Sequence, residues 1–213
     1  MKSLTIALSL IAGAAAADPP PDAYSYAWHE DALRSGFGVA VTVGGGVSGF
    51  TDRAMRNTMQ NNLEGMWDIH LTLGSHIPIA FDATYHGSAG RINSLTSTQY
   101  GTLVGNALEG AVRWNMLPHN SWDPYLFVGV GWQRYDVTGA SFQLSDQGIS
   151  DSDNMIDYPM GGGLQWRDKN GLVIDVRGTY RPTTDYNLVS ERTGNGFVPM
   201  HSWGATLSGG YEF

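Results

Sequence analysis

His86 and Ser88 stand either side of Gly87. A serine becomes a nucleophile when a histidine takes its proton and a carboxylate orients that histidine, all within hydrogen-bond reach. Asp82 and Glu191 are the acids weighed for the third role. In an extended strand His86 shares parity with Asp82 and Thr84, so these side chains leave on one face. The plainer reading of His86 is a polar side chain at the rim of a strand.

A second set comprises Asp68, His70, Asp82, Glu109, Arg113, Arg167, Asp175 and Arg177, all on the polar faces of segments whose other face is apolar. Charges removed from water need partners. Arg113 with Glu109 and Arg177 with Asp175 share a face, and cross-strand pairs are equally open. The expected role is a salt-bridge and hydrogen-bond network. A third set, Asp146, Asp151, Asp153 and Asp157, includes the run Asp151-Ser152-Asp153-Asn154. That run lacks the glycine and distal glutamate of a calcium loop, so the four acids are read as a solvated acidic loop, with a weak contact to a divalent cation as the alternative. His70, His76, His119 and His201 are scattered, and no metal or cofactor is assigned. The chain has no cysteine, which removes disulfides and thiolate chemistry.

The elements that must position these residues are strands of period two. On 36–47, Phe37, Val39, Val41, Val43 and Val47 oppose small residues. Strand two, 64–73, sets Trp67, Ile69, Leu71 and Leu73 against Asp68, His70 and Thr72. Strand three, 77–86, sets Phe81, Ala83 and Tyr85 against Asp82, Thr84 and His86. Strand four, 102–116, sets Val104, Leu108, Val112, Trp114 and Met116 against Glu109, Arg113 and Asn115. Strand five, 122–135, sets Leu126, Val128, Val130 and Trp132 against Gly129, Gly131, Gln133 and Tyr135. Strand six, from Asp157 to Arg167, opposes Tyr158, Met160, Leu164 and Trp166 to Gln165 and Arg167. Strand seven, 172–180, opposes Leu172, Ile174, Val176 and Tyr180 to Asp175, Arg177 and Thr179. Strand eight, 200–213, carries Trp203, Ala205, Leu207, Tyr211 and Phe213 on its apolar face. Between strands six and seven, Asn170-Gly171 favours a tight two-residue turn.

Long and short connections alternate along these eight strands, which in an up-and-down barrel puts four long loops at one rim and three tight turns at the other. The terminal strand must close against an existing edge, and the first strand offers it. The expectation is an all-β fold, a closed eight-stranded antiparallel up-and-down transmembrane β-barrel spanning 36–213.

At the amino end, Lys2, an apolar run over 4–12 and the alanines before Asp18 predict a secretory signal over 1–17. That run is far short of the roughly 20 apolar residues of a membrane anchor. Residues 18–35 are expected to be a periplasmic segment. The formal charge of −8 disfavours nucleic acid as a partner. Glycine at 28 residues and aromatics at 11% favour tightly packed β-structure.

The ending Thr206…Tyr211-Glu212-Phe213 resembles the terminal strand of bacterial outer-membrane β-barrel proteins, with Ser208 where that family usually has glycine. The stretch from Pro124-Tyr125 to Gly129 and Gly131 is also similar to small barrels of that superfamily. The chain thus resembles the OmpA/OmpX-type eight-stranded group over 36–213. The resemblance implies a cell outer-membrane location, contact with outer-membrane lipid and lipopolysaccharide, and recognition of Thr206, Tyr211 and Phe213 by the barrel-assembly machinery. It implies a role in envelope integrity or surface interaction through an unknown extracellular ligand. His86 and Ser88 also resemble the pair in lipid A deacylase barrels, where the site faces lipid, whereas parity here turns His86 inward. An enzyme of that kind is the alternative, and a soluble lipocalin-like carrier with its apolar face inside is another.

Two observations favour apolar outside. Trp67, Tyr85, Trp132, Tyr158, Tyr180 and Trp203 fall toward the long-loop rim, and Trp114, Trp166, Tyr211 and Phe213 toward the short-turn rim, two levels suited to the lipid interfaces. An eight-stranded interior holds only its own side chains, and the polar face is dominated by small residues.

Overall fold

A computed structural model describes residues 37–58, 63–93, 100–139, 151–184, 188 and 198–213. Its elements are β1 (Val39–Phe50), α1 (Arg53–Thr58), β2 (Glu64–Leu73), β3 (Ile79–Asn93), β4 (Tyr100–Asn115), β5 (Trp122–Thr138), β6 (Ser152–Asp157), β7 (Met160–Arg167), β8 (Leu172–Arg181), β9 (Thr183–Thr184) and β10 (Ser202–Glu212). Neighbours pair antiparallel, β4 joins β5, and β10 joins β1, so the sheet closes on itself. β6 and β7 both pair with β5, and β9 continues the line of β8, so the ten segments make a closed eight-stranded barrel. The closing seam sets Ala40 opposite Glu212 and Val47 opposite Ala205, and Phe213 N–H donates to the Val39 carbonyl at 2.8 Å.

Proline explains the two breaks. Pro159 separates β6 from β7 and Pro182 separates β8 from β9, and neither can donate to the ladder. The breaks lie side by side, with Tyr158 N–H donating to the Pro182 carbonyl at 2.9 Å.

Several boundaries differ from the sequence expectation. β3 runs on to Asn93, β5 to Thr138, and β6 begins at Ser152, inside the stretch read as an acidic loop. The connection after β1, read as loop throughout, contains α1. The Asn170-Gly171 pair sits in a four-residue connection, 168–171, closed by Gly171 N–H to the Asp168 carbonyl at 3.0 Å. Gly171 there has φ of 86°, a left-handed conformation that glycine adopts without steric cost. The signal over 1–17, the segment 18–35, Asp146 and Glu191 lie outside the described residues.

The faces are settled. Val43, Phe81, Leu108, Val128, Val130, Val176 and Leu207 are exposed on the outside, Leu207 at 60%. The lipocalin-like alternative would need these residues inside. The polar parity fills the interior, where Asp68, His70, Asp82, Glu109, Arg113, Asp175 and Arg177 are all buried. Tyr125 and Phe127 are buried there too, so the lumen is not lined by small and polar side chains alone.

Candidate functional site: the filled lumen

The interior divides into three levels. At the short-turn end, His76 Nε2 meets Glu212 Oε1 at 3.0 Å, and Ser75 donates to the same carboxylate. Arg167 meets Asp123 at 2.8 Å and donates to the Pro118 carbonyl at 3.0 Å. These residues come from the first two short turns and from β5, β7 and β10, so they floor the barrel.

Above them, Arg113 lies over the Tyr125 ring, 3.6 Å from its centroid, and donates to Gln165 and to Asn115 Oδ1, the latter at 2.6 Å. The Tyr125 hydroxyl donates to Asp175 at 2.7 Å. Arg177 lies 3.7 Å over the Phe127 ring and meets Asp82 at 3.0 Å. Asp82 also accepts from Thr72 at 2.8 Å, while His70 bridges Thr84 (2.7 Å) and Asp68 (3.2 Å). An arginine sandwiched against a ring and paired with a carboxylate has most of its guanidinium satisfied, the condition for burying it.

The third level lies beneath the long loops. Glu109 accepts from Arg181 Nε at 2.5 Å and meets His86 Nε2 at 2.9 Å. Glu64 is bonded to Ser48 at 3.4 Å and to Ser88. Over this level Phe50, Met55, Leu103, Tyr135, Met155, Leu188, Val198 and Met200 form an apolar cluster that caps the lumen.

The pairings differ from those weighed along single strands. Glu109 takes Arg181 and not Arg113, and Arg177 takes Asp82 with Asp175 left to the Tyr125 hydroxyl. The reason is geometric. Residues four apart on one strand, as Glu109 and Arg113 are, stand about 14 Å apart along the wall. Although residues two apart can touch, as Arg113 and Asn115 do, side chains from different strands converge on the narrow axis and supply the partners seen. Arg181, Asp123 and Glu212 belong to this interior without a role in the sequence reading, and His76, Asp157 and Tyr125 belong to it although the sequence suggests scattered histidines, loop acids and a family-like stretch. Arg181 was legible, since it continues the parity of Arg177 and Thr179, as Glu212 continues that of Ser208.

His86 and Ser88 are both buried on the inward face, but they are not brought together as nucleophile and base. His86 Nε2 is taken by Glu109 and its Nδ1 has no hydrogen-bond partner. Asp82 is engaged by Arg177 and Thr72. Of the residues weighed for assembly, Thr206 is buried in the lumen, while Tyr211 and Phe213 are exposed outside with their rings 5.1 Å apart.

The outer wall shows the two aromatic levels. Trp67 and Tyr85 pack edge to face at 5.3 Å toward the long-loop end, where Trp132 and Trp203 are also exposed. Trp114, Tyr211 and Phe213 are exposed at the other end.

A closed eight-stranded barrel with an apolar belt outside, aromatic residues at two levels and a filled polar interior has the architecture of the small outer-membrane barrels. No protein family and no curated protein matches the chain by sequence. Solved structures do match by fold. The attachment invasion locus protein Ail of Yersinia pestis aligns at 14% identity over 83% of this chain and 98% of its own, with a TM-score of 0.50. The same protein in complex with the heparin analogue sucrose octasulfate aligns at 12% identity over 83% of this chain and 99% of its own, with a TM-score of 0.51. Neisserial surface protein A aligns at 13% identity over 83% and 96%, with a TM-score of 0.49. At these identities the likeness is one of fold.

Proposed function

We infer that this chain is an integral outer-membrane protein, not an enzyme, whose sealed barrel holds the long loops outside the cell for envelope integrity or surface interaction. The observation that carries the reading is the pairing of an outer wall of exposed large apolar side chains with an interior closed at three levels. Such a wall is stable only in hydrocarbon, and among the described residues such an interior is filled by its own side chains. The likeness of fold to Ail supports the location. Ail's sulfated ligand is not carried over, because the likeness at this identity is one of fold alone. The partners are outer-membrane lipid and lipopolysaccharide around the belt, the barrel-assembly machinery during insertion, and an extracellular ligand at the loops.

The test has two parts. Folded protein in detergent should migrate differently on gels before and after boiling and should give no steady conductance in planar bilayers. Lipid A should have the same mass with and without expression; a mass shift abolished by Ser88→Ala would replace this reading with the deacylase. For assembly, deleting Phe213 should lower the amount in the outer membrane with export intact, because an unclosed edge in lipid leaves backbone groups unpaired at several kcal/mol each.

A further inference from the structure

The third lumen level holds acid without matching base. Glu109 and Asp157 lie there, with Arg181 engaged on Glu109. Asp157 has no solvent exposure, and no side-chain donor reaches either carboxylate oxygen, the closest polar neighbour being the Glu109 carboxyl. Gly131 stands opposite Asp157 across the β5–β6 pair. A Cβ on that glycine would collide with Asp157 Oδ1 and come within 2.8 Å of Glu109 Cγ, so the two carboxylates share the space that the glycine leaves. His86 enters the same space from β3, and candidate ligand atoms of His86, Glu109 and Asp157 all lie within 4.8 Å of one another. A buried carboxylate without a donor has lost its hydration with nothing in return, and either a proton or a cation must answer it.

We propose that His86, Glu109 and Asp157 form an internal binding site for a divalent transition-metal cation of the Zn²⁺ class, beneath the apolar cap. One imidazole nitrogen and two carboxylates are a set that such an ion accepts, at bond lengths of about 2.0 to 2.2 Å. Tetrahedral ligands at those lengths stand roughly 3.4 Å apart, so ligand atoms now within 4.8 Å of one another would draw together around the ion. Arg181 then serves as an outer partner, holding Glu109 in place by a charged hydrogen bond. The site is distinct from the solvated loop acids. Asp157 belongs to it because β6 continues the barrel wall, which turns this residue inward.

The folded chain, stripped with chelator in detergent and checked by its heat-modifiable migration, is titrated with Co²⁺ and then with Zn²⁺. The expected result is a visible d–d absorption that saturates at one equivalent of Co²⁺ and is displaced by Zn²⁺. Asp157→Asn and His86→Gln should each weaken Zn²⁺ binding by about tenfold or more, while Asp151→Asn, altering an exposed loop acid, should not. Absence of the Co²⁺ band in the unaltered chain overturns the proposal, with a shared carboxyl proton then occupying the gap. Binding that survives in folded Asp157→Asn and His86→Gln overturns it too, because the ion then sits elsewhere. Where one variant fails to fold, the other folded variant places the ion, and absence of the Co²⁺ band in the unaltered chain overturns the proposal in either case.

Discussion

The wall at the belt and the wall beneath the loops follow one alternation with opposite polarity. On β5, Val128, Val130 and Trp132 point outward and are exposed, while Gln133 points in. Two residues further on, Arg134 and Asp136 occupy the outward parity as a partly exposed ion pair at 2.9 Å, and Tyr135 is buried inside. β6 repeats the reversal, with Ser152 and Asn154 exposed outside and Met155 buried within the cap. Parity is a property of the backbone, whereas polarity follows the solvent. Within hydrocarbon the apolar face turns out and the interior is held by paired charge; in water the hydrophobic effect turns the apolar face in. The change falls between Trp132 and Arg134, which places the outer lipid interface at the level of Trp67, Tyr85, Trp132 and Trp203.

The largest expected effect tests the charged half. Arg177→Met leaves Asp82 without its paired cation and should cost about 3 to 5 kcal/mol, as breaking a buried pair does. The urea midpoint of unfolding in detergent measures it, and an unchanged midpoint would show that stacking on Phe127, not charge pairing, holds this level. Next comes the outer face. Val128→Arg places a charge near the middle of the belt and should cost about 2 to 4 kcal/mol in lipid vesicles. Asn154→Arg, on the same outward parity above the interface, should leave the midpoint where it was. Equal effects of the two would remove the interface from the position given above.

The same reversal explains what the sequence made legible. The closed barrel and its eight-strand order followed from the alternation and the spacing of connections. β2 was predicted with the bounds observed, because Glu64–Leu73 lies almost wholly within the belt, where apolar and polar residues alternate cleanly. β3, β5 and β6 were cut short, because beyond the interface the outward residues become polar and the expected pattern fails. Asp157 stands at that limit, the first inward residue expected of strand six and also one of the expected loop acids. Which acid meets which base was not legible, since partners such as Arg177 and Asp82 lie 95 residues apart and meet only across the closed lumen.

The apolar half should fail locally. Leu103 is 1% exposed and packs in the cap with Tyr135 and Met155. Leu103→Ala opens a cavity worth about 2 kcal/mol, near the lower bound for such changes because a cap beneath loops can settle inward. Protease cleavage and amide exchange near the long loops should increase, while heat-modifiable migration and the urea midpoint of the barrel stay close to the parent. A collapse of the whole barrel would mean that cap and charged lumen unfold as one unit, and the division between them would be structural description only.

The smallest effect belongs to Arg134 and Asp136. Their bidentate contact, with Arg134 Nε and Nη2 3.0 Å and 2.9 Å from the carboxylate oxygens, is well formed, yet both side chains remain partly exposed. A pair in water gains little, because each partner trades hydration for an attraction that salt screens. Arg134→Ala should therefore leave the unfolding midpoint unchanged within error at any salt concentration. That silence is informative, since the same side chain two residues lower would stand in hydrocarbon and its removal would stabilise the barrel. A measurable gain in stability for Arg134→Ala would put Arg134 in lipid and move the outer interface above it. A loss comparable to Leu103→Ala would instead tie the pair to the cap, and the polar outer face of β5 would have to be counted as part of what holds the loops in place.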